Sequence, residues 1–145
     1  MNTVLVVDDD PDIQLLLRLE LEAEGYLVLT AANGIEDIDR IAVDEPDVVL
    51  LDIMMPELDG WGVLDRLGDT APAIIVISGL ATDRAQHYRH AVEMGALGFV
   101  SKPFDSAKLL ELVSVAATLD GDQRAEYRQW VLDGGDDPAQ RFPGS

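Results

Sequence analysis

The sequence predicts an α/β domain: five strands alternating with five helices, in a doubly wound parallel sheet covered on both faces. Three observations carry that reading. Short apolar, β-branched runs alternate with longer segments of helical periodicity between residues 3 and 119. The runs are continuously apolar rather than alternating, which is the pattern of strands buried on both sides. The chain has 145 residues, 48% of them apolar, enough for one domain with a core and too few for two comfortable ones.

The elements follow in order. "TVLVV" (3–7) is the first strand. Residues 11–25 form a helix with Ile13, Leu16, Leu17 and Leu21 inward, Pro11 in its first turn and Gly25 at its stop. "YLVLT" (26–30) is the second strand, and 34–43 a helix facing Ile35, Ile38, Ile41 and Ala42 inward. "DVVLL" (47–51) is the third strand, followed by a short helix at 60–67 weakened by glycine. "AIIVI" (73–77) is the fourth, followed by a helix at 83–94 closed by Gly95. "GFVS" (98–101) is the fifth, followed by a helix at 106–119 that Asp105 is placed to cap. Residues 120–145 change character and read as an acidic extension. It holds a short helix at 122–132, with Tyr127, Trp130 and Val131 at helical spacing for docking, and then a flexible tail.

Charge and composition exclude several functions. Acidic residues outnumber basic ones 28 to 10, a formal charge of −18. Such a surface repels nucleic acid and anionic membranes, both of which are bound through Lys and Arg. There is no cysteine, so thiol chemistry and disulfides are absent. The N-terminal "MNTVLVVDDD" lacks the basic region of a signal peptide, and no apolar stretch approaches transmembrane length. A cytoplasmic location is the expectation.

The polar residues fall in one place. In a parallel α/β sheet, ligands bind outside the carboxyl ends of the strands, where strand order reverses. Asp8 and Asp9 follow the first strand, Asp52 the third, Ser78 the fourth and Lys102 the fifth. Each apolar run delivers its polar residue to the same edge. Three carboxylates brought together repel by roughly 4 kcal/mol per pair at about 4 Å near a protein surface, so they call for a cation. Oxygen ligands of this kind suit Mg²⁺, which keeps waters and bridges to phosphate oxygens. The ammonium of Lys102 is a point-charge phosphate ligand, and Ser78 offers a hydroxyl donor. Metal, ammonium and hydroxyl around one carboxylate make a phosphoryl-transfer site with Asp52 as nucleophile.

The segments "VLVVDDDPD", "PDVVLLDIMMPELDGW", "IIVISG" and "GALGFVSKPF" together resemble the signature segments of the response-regulator receiver domain of two-component signalling, in family order and spacing over residues 3–119. The resemblance implies a flavodoxin-like strand order 2-1-3-4-5 and a receiver domain over 1–119. It implies a non-enzymatic signalling phospho-acceptor, in which Asp52 takes phosphoryl from a histidine kinase or phosphotransfer protein and switches a surface read by a downstream protein target. Asp9, Asp52 and the carbonyl of Met54 would ligate Mg²⁺ directly, and Asp8 through water. Lys102 and Ser78 would bind phosphoryl oxygens, Phe99 would turn inward with Ser78, and the bond before Pro103 would be cis. The domain would be a monomer or a phosphorylation-dependent dimer. The side chains two residues after the acceptor and after the hydroxyl residue, which tune hydrolysis in the family, are here Met54 and Leu80. The sequence departs from the usual pattern at Gly79, where alanine is commoner.

Other readings fit less well. Asp10 and Asp12 suit helix capping, Asp59 caps the next helix, and His87 and His90 sit in a polar helix without metal-ligand partners. A haloacid-dehalogenase-type hydrolase needs a second Asp two residues after the nucleophile, where Met54 stands. No glycine-rich phosphate loop occurs. The alternative from another class is a phosphorylation-independent protein-interaction module, but such a module does not need the acid pair and the lysine that are all present here.

Overall fold

A computed structural model of the chain describes residues 2–32, 39–41, 43–52, 62, 65, 72–78, 92–93, 95–101, 106–119 and 121–133. Five strands, β1 (Thr3–Val7), β2 (Leu27–Ala31), β3 (Val48–Asp52), β4 (Ala73–Ser78) and β5 (Gly98–Ser101), form one sheet in the order β2-β1-β3-β4-β5. Every pairing is parallel. The strand order predicted through the family resemblance is therefore the observed one.

Period-two alternation sorts the strand residues onto two faces. Val4, Val6, Val28, Val48, Leu50, Ala73, Ile75 and Ile77 lie in one core cluster with side chains of helices α1 (Pro11–Ala23) and α2 (Ser106–Thr118). Leu5, Val7, Val49, Leu51, Ile74 and Val76 point to the opposite face and are equally buried. Burial on both sides is why these runs carry no polar alternation.

Helix α1 starts at Asp10, whose carboxylate accepts from the Asp12 amide at 2.9 Å, and Pro11 occupies the first turn. It buries Leu17 and Leu21, each contributing about 1.5–3 kcal/mol, with Ile13 half-covered on the same stripe. Leu16, expected inward, is instead 43% exposed. The stripe runs along the i, i+4 row of Ile13, Leu17 and Leu21, and Leu16 sits off its edge. The helix ends in a turn: the amides of Glu24 and Gly25 donate to the carbonyls of Leu21 and Glu22 at 3.0 Å, with Gly25 at φ +93°. The Tyr26 amide also donates to Leu21, at 3.2 Å. That turn consumes Tyr26, so β2 begins one residue later than the predicted 26–30.

Two further strand ends differ from the prediction. Asp52 and Ser78 are the last residues of β3 and β4 rather than the first beyond them. Helix α2 packs on β5 closely enough that a Cβ on Gly98 would stand 2.7 Å from Leu112 Cδ2, so glycine there permits the approach. Its first residue, Ser106, donates to Glu20 Oε1 of α1 at 2.8 Å. Residues 39–41, 43 and 44 are helical, within the predicted 34–43 helix and one residue past it, but Val43 is 79% exposed. Most of the predicted helices at 60–67 and 83–94, the Asp105 and Asp59 caps and the tail from 134 lie outside the described residues. The predicted 122–132 helix is present as α3 (Gly121–Leu132).

Candidate functional site

The C-terminal edge of the sheet is assembled by register. Val7 of β1 pairs with Leu51 of β3, so the next residues, Asp8 and Asp52, stand side by side. Asp8 continues the β1 ladder, its amide donating to Ala31 O of β2 at 3.2 Å. The Gln14 side-chain amide, one turn into α1, donates to the carbonyls of both Asp8 and Ala31, the latter at 3.4 Å. It ties the ends of two strands to the helix. The Asp8 carboxylate accepts from the Asp10 amide at 2.9 Å, a local turn of the Asx kind that reverses the chain into α1 and leaves Asp9 on the rim.

One carboxylate oxygen from each of Asp8, Asp9 and Asp52 lies within 4.8 Å of the other two. Asp8 and Asp52 are 2% and 4% exposed and are the buried charged residues among those described; Asp9 is exposed. Two buried acids held together are costly unless a cation offsets them. The donor set is all oxygen, as hard divalent ions require. At neighbouring strand ends, Asp52 pairs with Ile77 and the next residue, Ser78, pairs with Ser101. The backbones of Asp52 and Ser78 and the residue before Lys102 thus share this edge. Phe99 pairs with Val76 and is 8% exposed, inside the sheet layer. Met54, Lys102, Pro103, Gly79 and Leu80, and the side chain of Ser78, lie outside what the structure describes.

Sequence reasoning missed Gln14. Its signal is a polar amide set between Ile13 and the Leu15–Leu16–Leu17 run, a placement that asks what the amide binds.

The family model for the response regulator receiver domain matches residues 4–114. The chain belongs to that family. This receiver domain is 35% identical over 133 residues to the transcriptional regulatory protein KdpE of Mycobacterium tuberculosis, covering 92% of this chain and 58% of that one. It is 38% identical over 107 residues to the response regulator MprA of Mycobacterium avium, covering 74% and 47%. A probable transcriptional regulator, ycf27 of Guillardia theta, is 39% identical over 106 residues, covering 73% and 41%. The chain spans about half the length of these curated relatives.

Among solved structures, the receiver domain of the Francisella response regulator 1452 superposes with TM-score 0.76 at 28% identity, covering 81% of this chain and 97% of that one. The BeF3-activated N-terminal receiver domain of Klebsiella pneumoniae RstA gives 0.75 at 28%, covering 81% and 100%. The receiver domain of NtrX from Brucella abortus gives 0.73 at 30%, covering 81% and 99%. No described helix of the chain is long and apolar enough to cross a membrane.

Proposed function

We propose that this receiver domain accepts a phosphoryl group on Asp52 from the phosphohistidine of a sensor kinase or phosphotransfer protein. The modification would switch a surface read by a downstream protein. The observation that supports this reading best is the carboxylate triad at the ends of β1 and β3, with Asp8 and Asp52 buried and one oxygen from each of the three acids within 4.8 Å of the other two.

An oxygen of the Asp52 carboxylate attacks phosphorus in line as the bond to the imidazole nitrogen breaks. The aspartyl phosphate forms and the donor's histidine is released. Asp52 suits the attack because β3 fixes its backbone and the sheet edge fixes its direction, so little orientation is left to find. Asp9, Asp52 and the Met54 carbonyl would hold Mg²⁺, with Asp8 acting through water. The ion would neutralise the charge that develops on the phosphoryl oxygens. Lys102 and Ser78 would take the remaining oxygens, and Phe99 would repack with Ser78 to carry the change outward. Pro103 would set the path of the chain after Lys102. The domain acts as a signalling acceptor that assists its own phosphorylation, in the cytoplasm, as a monomer or a dimer formed on phosphorylation.

The test is direct. Purified protein is mixed with Mg²⁺ and a small phosphodonor, and its intact mass is followed. The expectation is one labile phosphoryl addition that Asp52→Asn and chelation both abolish. Wild-type uptake by the asparagine variant would show that the acceptor is misassigned.

A further inference from the structure

Helix α3 lies beyond the matched family segment at 4–114, yet it contributes to the same core as the strands. Tyr127 is 1% exposed, among the largest fully buried side chains, and belongs to the cluster that holds Val4, Val48, Ala73, Leu97 and Leu119. Trp130 packs against it with ring centroids 5.4 Å apart at 57°, and Leu132 is half-buried on the same cluster. The first turn of α3 is tied back to the residue that follows α2 by Arg124 Nη1, which donates to the Leu119 carbonyl at 3.0 Å.

Three solved receiver domains match 81% of this chain, and a CheY-like receiver domain from Methanospirillum hungatei matches 89% of it, with TM-score 0.72 at 25% identity. The similarity to KdpE covers 133 of 145 residues, so it must begin by residue 13 and reach residue 133, which includes all of α3.

We propose that α3 is an intramolecular strap that closes the core over the C-terminal end of α2, so that residues 1–119 and 121–132 form one cooperative unit. A 12-residue helix is marginal in water by itself. Its order therefore depends on the seat that Tyr127 fills, and the seat depends on it in turn. The strap covers Leu119, while Thr118 at the end of α2 stays exposed beside the exposed Gln123, Glu126 and Gln129 of α3. The Lys108 end of α2 remains exposed.

Native-state amide exchange on the unmodified full chain tests this. If α3 is a strap, amides at 125–132 exchange only with the slowest, globally unfolding set from β1 and β3. Fast exchange at 125–132 while the strands stay protected would overturn the proposal. Tyr127→Ala supplies a second reading. It should lower Tm by roughly 10 °C, the cost of an emptied aromatic seat in a domain of this size. It should also leave thermal unfolding a single transition. An unchanged Tm would show that the seat carries no part of the fold.

Discussion

Replacing Asp52 with asparagine is expected to stabilise the metal-free protein even as it removes the acceptor. One carboxylate oxygen from each of Asp8, Asp9 and Asp52 lies within 4.8 Å of the other two. At that separation each ionised pair costs about 3.5 kcal/mol at an effective dielectric near 20, and about 1 kcal/mol in bulk water. Asp8 and Asp52 are 2% and 4% exposed, so their pair belongs near the larger figure. Asp9 is exposed, and its pairs belong near the smaller. An amide at position 52 therefore relieves about 4 kcal/mol, less about 1 kcal/mol for exchanging a carboxylate acceptor for a weaker one. The net gain of about 3 kcal/mol corresponds to roughly 10 °C in Tm for a chain of this length.

The assay is thermal unfolding, first in chelator and then across a Mg²⁺ titration, with sodium chloride matched for ionic strength. An ion that binds only the folded state adds about 2.7 kcal/mol when it is a hundredfold above its dissociation constant. The wild type should gain that fully and the asparagine variant less, having lost a ligand. The gap between them should narrow as Mg²⁺ rises. Asp9→Asn should raise the chelated Tm by a smaller amount, because its charge is already screened. An Asp52→Asn variant no more stable than wild type in chelator, or a gap that holds constant through the titration, would show that carboxylate repulsion does not set the stability of the metal-free site.

Three further outcomes are expected. Asp10→Ala should cost about 1 kcal/mol by urea denaturation while Asp10→Asn costs little, since the amide still accepts from the Asp12 amide; equal losses would mean that charge rather than the cap matters there. Burial raises the Tyr26 phenol above its ordinary 10.0, with nearby Glu24 adding to the shift and a hydrogen bond to Ser114 opposing it. The folded state thus holds that proton more tightly than the unfolded chain, and the stabilisation is complete below about pH 10 and lost as pH rises from there through the raised value. The urea midpoint of wild type relative to Tyr26→Phe should therefore hold constant below about pH 10 and fall above it, and a constant difference across that range would refute it. Phosphate release should be slow in wild type, because Met54 and Leu80 offer no hydrogen bond to an attacking water, and faster in Met54→Asn, Leu80→Glu and above all the double variant; equal rates in all four would show that these positions do not set the lifetime.

The strands were legible because a parallel sheet leaves its residues no solvent face. Val48 to Leu51 could only be apolar, and the carboxylate after them could only be at the edge. The acid cluster depends on the register: Val7 pairs with Leu51, which sets Asp8 beside Asp52, whereas a slip between two runs buried on both faces would bury both equally well. What could not be read locally depended on contacts between distant segments. The start of β2 moved because the Tyr26 amide is spent on the α1 turn, and Leu16 faces solvent because only one row of that helix fits the groove. Gln14 stands out among its apolar neighbours, but its partners, the carbonyls of Asp8 and Ala31, are backbone atoms that carry no residue-type signal. Tyr127 lies between these cases. Its spacing with Trp130 announced a docking face, but the same spacing serves a partner as well as the chain's own core. Only the placement of Tyr127 in one cluster with Val4 and Val48 distinguishes them, and it does so in favour of the core. Tyr127 is spent on the chain's own core, while Trp130 stays partly exposed at its edge.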